Sequence, residues 1–270
     1  MKNMVYTVRK NIPNRHKVFS KIGIINKENK KEKENSDMAE KRLAMITARG
    51  GSKRIPRKNI KEFCGKPILF YSIEAALNAG VFDEVMISTD DEEIAQLAKQ
   101  AGAKVPFMRS EATANDYAST DEVIMEVLKE YEKQGQHFDS FCCIYPTAPF
   151  ITAERLKEAM ELLDTADSVM PVVAFSYPPQ RGLIVNQSGY VERQFPEYAT
   201  ARSQDLQKVY HDCGQFYACR TLPFMEAGTT DVEKLVPLVL SEMEVQDIDT
   251  LEDWKIAEIK YLRRQKNGNK

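Results

Sequence analysis

The chain has 270 residues, 43% of them hydrophobic, with 38 basic and 40 acidic side chains for a net charge of −2. That is enough apolar material for one large core, or for a main domain with a small appendage, and it leaves no overall positive field to hold nucleic acid or an anionic membrane. Mean hydropathy is −0.46 and no apolar run approaches the roughly 18 to 20 residues that span a bilayer, so a soluble protein with neither nucleic acid nor membrane as partner is expected.

Charge is unevenly spread. Residues 1–37 carry ten Lys or Arg against four Asp or Glu, which leaves 28 against 36 in the remainder. The run from Asn26 to Asp37 is built from Lys, Glu and Asn with one Ser and one Asp; it cannot build a core and reads as a solvated, mobile linker. Residues 1–40 are therefore expected to be a disordered basic extension, and 41–265 the folded domain. A functional basic arm and a segment the domain does not need compete for the extension. The second is favoured, because a basic Lys/Asn run is usually solvated chain; nucleic-acid binding by the arm is disfavoured because residues 26–37 hold no aromatic ring to stack on a base. Five cysteines (Cys64, Cys142, Cys143, Cys213, Cys219) form no C-x-x-C pair, and the start lacks the apolar stretch of a signal peptide, which points to a reducing, cytoplasmic setting. Cys142 and Cys143 sit in an apolar run as small hydrophobes.

From Arg42 onward short β-rich runs alternate with helical periodicity. Leu43–Ile46 reads as a buried strand and Ile68–Ala79 as a helix with Pro67 in its first turn. Val85–Ser88 is the next strand, and Asp91–Ala101 a helix with Asp90 as N-cap and Gly102 as its end. Lys104–Phe107 is expected as a third strand. Val123, Ile124, Val127, Leu128 and Tyr131 stripe another helix. Ser140–Tyr145, a helix over Thr152–Leu163, and Ser168–Val173 continue the alternation, which implies a mostly parallel sheet with helices on both faces. Beyond Tyr177-Pro178-Pro179 the rhythm breaks. Gly182–Val185 and Tyr190–Arg193 flank a turn-forming Asn186–Gly189 as a β-hairpin, and since two strands alone are marginal, residues 178–202 are expected to pack on the domain or a second subunit. Gln215–Cys219 and Leu235–Leu240 look like strands, and a helix from about Thr250 to Arg264 closes the chain.

In open α/β sheets ligands bind outside the carboxyl ends of the strands. After the first strand, Gly50 and Gly51 let backbone amides approach an anion, and Arg49, Lys53, Arg54, Arg57 and Lys58 place five cations within ten residues, a density suited to a triphosphate. Neither a Walker A loop nor G-x-G-x-x-G is present, so ATPase and dinucleotide readings lose support. Asp247 and Asp249, two residues apart near a strand end, project the same way and suit Mg²⁺; Asp249 doubles as expected N-cap of the final helix. His211, in Tyr-His-Asp-Cys-Gly, has no partner spacing for a triad and is read as a polar loop residue.

Four blocks, Arg49-Gly50-Gly51-Ser52-Lys53 with Pro56, Lys58 and Asn59, then Ser88-Thr89-Asp90-Asp91, then Pro146-Thr147-Ala148-Pro149, then Asp247-Ile248-Asp249-Thr250, resemble the cytidylyltransferases that activate nonulosonic (sialic-type) acids, over about residues 42–260. The resemblance implies a Rossmann-like, mostly parallel α/β nucleotidyltransferase fold with a small projecting β-hairpin dimerisation element, a homodimer, and the reaction of CTP with a sugar acid to give a CMP-sugar and pyrophosphate, a product used for surface glycan or flagellin glycosylation. It further implies that Arg49, Gly50, Gly51, Ser52, Lys58 and Asn59 meet the triphosphate, with Lys66 neutralising phosphate charge; that Arg109, Ala118 and Thr120 hold the cytidine; that Arg202, Lys208 and Tyr217 bind the sugar; and that Asp247 and Asp249 bind Mg²⁺. Arg49 and Lys58 would stabilise developing charge, and Asp249 is the best-placed base. Sialic acid enzymes typically carry Gln where this chain has Tyr145; Tyr145–Phe150 with Tyr177–Arg181 resembles the subfamily acting on pseudaminic acid. That acid is ranked first, legionaminic or sialic acid second, and a non-catalytic nucleotide-sugar binder is the alternative from another class.

Overall fold

The central strands carry apolar residues on both sides because both faces of the sheet are covered. In β1 (Arg42–Thr47) Ala44 and Ile46 point to one side and Leu43 and Met45 to the other. In β3 (Ser140–Ile144) Cys142 and Ile144 part from Phe141 and Cys143 in the same way. On the first face lie α1 (Leu69–Ala79), α2 (Glu92–Gln100) and α4 (Ala153–Leu162), through Leu69, Ile73, Ile94, Ala98, Leu156 and Met160. The second face is covered by α3 (Thr120–Lys133) and the short α5 (Thr221–Ala227), through Ile124, Val127, Tyr131 and Phe224. Both thiols of the Cys142–Cys143 pair are fully buried, and burial raises Cys143 to about 12, so they act as small hydrophobes.

The computed structural model describes residues 40–268; the expectations for the extension at residues 1–39 lie outside the described residues. The main sheet also contains β2 (Glu84–Ser88), β4 (Ser168–Ala174), β7 (Tyr210–Asp212), β8 (Phe216–Arg220) and β9 (Leu235–Leu240), while β5 (Leu183–Val185) and β6 (Val191–Arg193) pair only with each other. The order is β9-β4-β8-β3-β1-β2, with β7 also along β4. β1 runs parallel to β2 and β3, and β9 parallel to β4. β8 is antiparallel to both neighbours and β7 is antiparallel to β4, so two consecutive strands run against an otherwise parallel sheet. β7 and β8 share the same side of β4, and Cys213-Gly214-Gln215 bulges out between them, with Gly214 at φ 59°. A bulge of this kind re-aims side chains. The chain is thus a mixed α/β protein with a mostly parallel central sheet, as its alternating pattern predicts.

Several local expectations are corrected. Lys104–Phe107 forms no strand: Lys104 makes a single parallel bridge to Met86, and Pro106, which has no N–H, cannot extend it. Pro67 lies before α1, in a two-residue antiparallel ladder with Glu62–Phe63, where Cys64 and Gly65 turn the chain with positive φ. The N-cap of α2 is Asp91, whose carboxylate accepts from Ile94 N–H at 3.0 Å. At the last helix, α6 (Leu251–Gly268), the capping group is Thr250: its Oγ1 accepts from Asp253 N–H at 3.2 Å, and the Asp253 carboxylate accepts in return from Thr250 N–H at 2.7 Å. That reciprocal pair releases Asp249 from the capping role.

A third apolar cluster decides where the functional end is. Ile55, Phe63 and Ile68, from the segment between β1 and α1, and Tyr71 from α1 pack with Phe150 and with Ile248 and Trp254 from the chain's end. Phe63 meets Tyr71, Trp254 and Tyr261 edge-on, with centroids 5.5–5.6 Å apart. This cluster carries the loop after β1 to the start of α6.

Candidate functional site

The loop after β1 is anchored by its own polar groups. Gly50 N–H donates to Asp90 at 2.9 Å, and a Cβ at Gly50 would come within 2.7 Å of the Asp91 carboxylate; glycine is needed there for close approach to the neighbouring strand end. Arg57 takes a left-handed conformation, φ 56°, uncommon for a side-chain-bearing residue. Its guanidinium grips Asp91 with both terminal nitrogens and also pairs with Glu93, so the Asp91 carboxyl is held below the usual range, chiefly by Arg57. Buried Asn59 donates to Arg49 O at 2.8 Å and closes the loop on itself.

Arg57 is thereby committed to the scaffold. The other four cations of the segment, Arg49, Lys53, Arg54 and Lys58, line a groove of about 600 Å³ with Ser52 and Asn59, closed on its far side by Tyr145, Pro146 and Thr147 at the end of β3. Each pair of cations has one carboxylate. Arg49 donates to Asp116 at 2.7 Å and Lys53 pairs with the same residue; Arg54 donates to Asp249 at 2.8 Å, with Lys58 3.7 Å from the same oxygen. Lys58 also donates to Ile248 O at 2.8 Å. Its pKa is lowered by burial, against the opposing pull of Asp249 and Asp247. Asp247 is pushed up by burial and then by the charge of Asp249. Two cationic centres facing one groove are what a polyphosphate needs.

A second cavity of about 350 Å³ shares Tyr145 with the groove and is otherwise lined by His211–Gly214, Tyr217, Val245 and Asp247. Tyr145 is held from three sides: its N–H donates to Gln215 O at 2.9 Å, its carbonyl accepts from buried Ser72 at 2.8 Å, and its hydroxyl lies 3.1 Å from Thr120 Oγ1. Its ring meets Tyr217 edge-on at 5.8 Å. The Tyr217 hydroxyl donates to Asp212.

The site residues expected from sequence divide accordingly. Arg49, Ser52, Lys58 and Asn59 meet in the groove, beside Gly50 and Gly51, and Thr120, Tyr145, Tyr217 and Asp247 surround its junction with the cavity. Ala118 lies in the turn before α3, its N–H bonded to Asn115 Oδ1 at 3.0 Å. Arg109 is buried at the end of β2, donating to Ser88 Oγ and O at 2.9 and 2.7 Å. It braces that strand end and does not line the groove. Lys66 pairs with Glu74, lies 4.2 Å over the Tyr71 ring and lines a different depression, because the Glu62–Pro67 ladder turns it away. Arg202 is exposed and paired with Asp205, and Lys208 is exposed; neither lines either cavity. His211 lies in β7, not a loop, with its ring 4.6 Å from Phe175. Sequence reasoning missed Asp116 and Asp212. The only signal for Asp116 was an acid in a polar loop just before a helix, and for Asp212 an acid two residues before Gly214.

A mostly parallel α/β sheet with a basic, glycine-bearing loop at the carboxyl ends of its strands is the arrangement of a nucleotide-binding α/β protein. A cytidylyltransferase model matches residues 43–247, and the chain belongs to the cytidylyltransferase family. It is 42% identical over 223 residues to a pseudaminic acid cytidylyltransferase of Campylobacter jejuni, covering 82% of this chain and 96% of that one. It is 34% identical to the CMP-N,N'-diacetyllegionaminic acid synthase of Legionella pneumophila, covering 80% and 94%. A solved CMP:2-keto-3-deoxy-manno-octonic acid synthetase, complexed with CTP, shares the fold with a TM-score of 0.59 at 20% identity, over 84% of this chain and 99% of that one.

Proposed function

We propose that the protein transfers CMP from CTP to the anomeric hydroxyl of pseudaminic acid, releasing pyrophosphate. The observation that carries this reading is the joining of a four-cation groove to a tyrosine-lined cavity at Tyr145, together with the 42% identity to a pseudaminic acid cytidylyltransferase. The triphosphate lies along Arg49, Ser52, Lys58 and Asn59, the cytidine against Ala118 and Thr120 with Arg109 bracing the strand end behind, and the sugar acid in the cavity. Arg202 and Lys208 reach the sugar only if the segment that bears them moves. The anomeric oxygen attacks the α-phosphorus in line as the bond to pyrophosphate breaks, Arg49 and Lys58 stabilise the charge that develops, and the proton goes to Asp249.

Asp247 and Asp249 fit Mg²⁺. Among the described residues no group of three or more ligating side chains occurs, so the protein offers two carboxylates and leaves the remaining positions to phosphate and water, the usual arrangement for this ion. The pKa of Asp247 is raised by burial first and then by the charge of Asp249, and a cation there would relieve that second, repulsive part. When bound, Mg²⁺ would offset charge on the triphosphate oxygens.

The β5–β6 hairpin exposes Leu183, Ile184, Val185, Tyr190 and Val191, more apolar surface than two isolated strands bear in water; it is the surface of a homodimer. Ile184→Glu should convert a dimer to a monomer in light scattering, and a wild type already monomeric at micromolar concentration counts against this arrangement. The free, buried thiols of Cys142, Cys143, Cys213 and Cys219 and the use of CTP support a cytoplasmic setting. The 34% identity to a legionaminic acid synthase keeps that acid as second reading. Pyrophosphate release from CTP across a panel of nonulosonic acids tests the proposal: turnover with pseudaminic acid foremost is expected, no turnover with any acid would leave a nucleotide-sugar binder, and preference for another acid would move the substrate.

A further inference from the structure

The cavity beside Tyr145 has a polarity of its own. Its lining holds two carboxylates, Asp212 and Asp247, and neither Lys nor Arg, whereas four cations line the adjoining groove. A sugar acid spanning both must turn its carboxylate toward the groove and its uncharged ring substituents toward Asp212 and Tyr217, because a carboxylate beside Asp212 would be repelled at close range.

Asp212 is fixed by two donors. One carboxylate oxygen accepts from Gly214 N–H at 2.8 Å, within the bulge between β7 and β8; the other accepts from the Tyr217 hydroxyl. Tyr217 is buried, and burial followed by the Asp212 hydrogen bond drives its pKa far above the ordinary value, so it keeps its proton. A phenol has one proton to give. Here that proton is committed to Asp212 and the Tyr145 hydroxyl is the oxygen's other hydrogen-bonding neighbour, so what the oxygen offers a ligand is a lone pair and not a proton.

We propose that Asp212 is a specificity-determining residue: by fixing the Tyr217 hydroxyl as its own donor, it makes this cavity accept hydrogen bonds, so that the enzyme selects sugar acids presenting an amide N–H there. A sugar hydroxyl can give or take a hydrogen bond and is a weak discriminator, whereas an amide N–H can only give. An acceptor with acetamido groups on its ring side satisfies the cavity. One with an azide in the same place leaves lone pair facing lone pair, and unpaired polar groups in a site built for hydrogen bonding carry a large penalty.

The inference rests on the proposed cytidylyl transfer to a nonulosonic acid, and substitution at Asp212 separates the two. In Asp212→Asn the Gly214 N–H still needs an oxygen, so the amide oxygen stays there and the amide NH₂ turns to Tyr217. The tyrosine must then accept, and its proton is released to the ligand. The cavity's polarity inverts without loss of shape. The experiment measures kcat/KM with pseudaminic acid and with analogues in which each acetamido group in turn is replaced by azide. Wild type should prefer the acetamido form at one position by about 10- to 200-fold. Asp212→Asn should bring that ratio to within about threefold, while KM for CTP stays within about twofold. Tyr217→Phe, which keeps the Asp212 carboxylate and the ring, should erode the preference without touching the bulge. An Asp212→Asn variant that discriminates as wild type does, or one that loses both acceptors equally while Tyr217→Phe discriminates normally, overturns the inference and leaves the reaction standing. A wild type that turns over neither pseudaminic acid nor any other nonulosonic acid overturns both.

Discussion

The basic groove and the tyrosine cavity meet at one residue, yet they are built in opposite ways. All four of the groove's cations come from ten consecutive positions, Arg49 to Lys58. The cavity draws on Tyr145, Asp212, Tyr217 and Asp247, which are brought together by a reversed strand between β3 and β4 and by a bulge. A loop that follows a buried strand brings its charges together by chain continuity, and contacts with Asp90, Asp91 and the third cluster then hold it in place. A cavity walled by three separate segments exists only once the sheet has assembled, so it can be altered at a single side chain without disturbing the groove.

The largest expected effect breaks the groove's link to the far end of the chain. Asp247→Asn and Asp249→Asn keep shape but remove charge, and each should lower kcat on the order of 10²- to 10³-fold, with an unchanged circular dichroism spectrum. Full turnover in both variants that still requires Mg²⁺ would place the metal elsewhere. Phe63→Ala tests whether the groove is as local as its sequence: the ring touches Tyr71, Trp254 and Tyr261, and losing it should cost about 3–5 kcal/mol of stability by denaturant titration. A loss below about 1 kcal/mol would mean that the loop stands without the third cluster.

Tyr145→Gln probes the seam. It should reduce kcat/KM for pseudaminic acid by about 1 to 3 kcal/mol of transition-state binding, since an aromatic wall suits a less polar sugar better than an amide does, and should move KM for CTP much less. Equal changes for both substrates would show that the groove and cavity are not separable. The smallest effect is in the scaffold. The folded-state pKa of Asp91 lies below the ordinary 3.8, with Arg57 the main cause, so its stabilisation is present above that pH and is lost as the pH falls through the depressed value. Asp91→Asn should therefore flatten the acid limb of the stability curve below about pH 4. An acid limb identical to wild type would show that the Arg57 pairing contributes nothing.

How much could be read in advance follows the same division. Apolar alternation and helical stripes located β1, β2, β3, β4, α3 and the β5–β6 hairpin, because each follows from a period of 2 or 3.6 residues and from turn residues at fixed places. One-residue errors fell where competing caps stood side by side, at Asp90 with Asp91 and at Asp249 with Thr250, since either side chain can accept the first free N–H and only the backbone angles decide. The Gly-Lys-Pro context of Lys66 suggests a role at the phosphates; a two-residue ladder sends it to Glu74 instead.

By itself the sequence determined the two-sided sheet, the cationic loop and the pair of aspartates, all of which are consequences of residue type at short spacing. Only the tertiary structure decided that Arg57 serves the scaffold while Lys58 reaches across 190 positions to Ile248, that the strand after the bulge runs against its neighbours, and that Asp212 faces Tyr217. Periodicity tells which face of an element is apolar, but strand direction and the partner of a polar side chain depend on which segments lie alongside, and that is settled by packing the whole core at once.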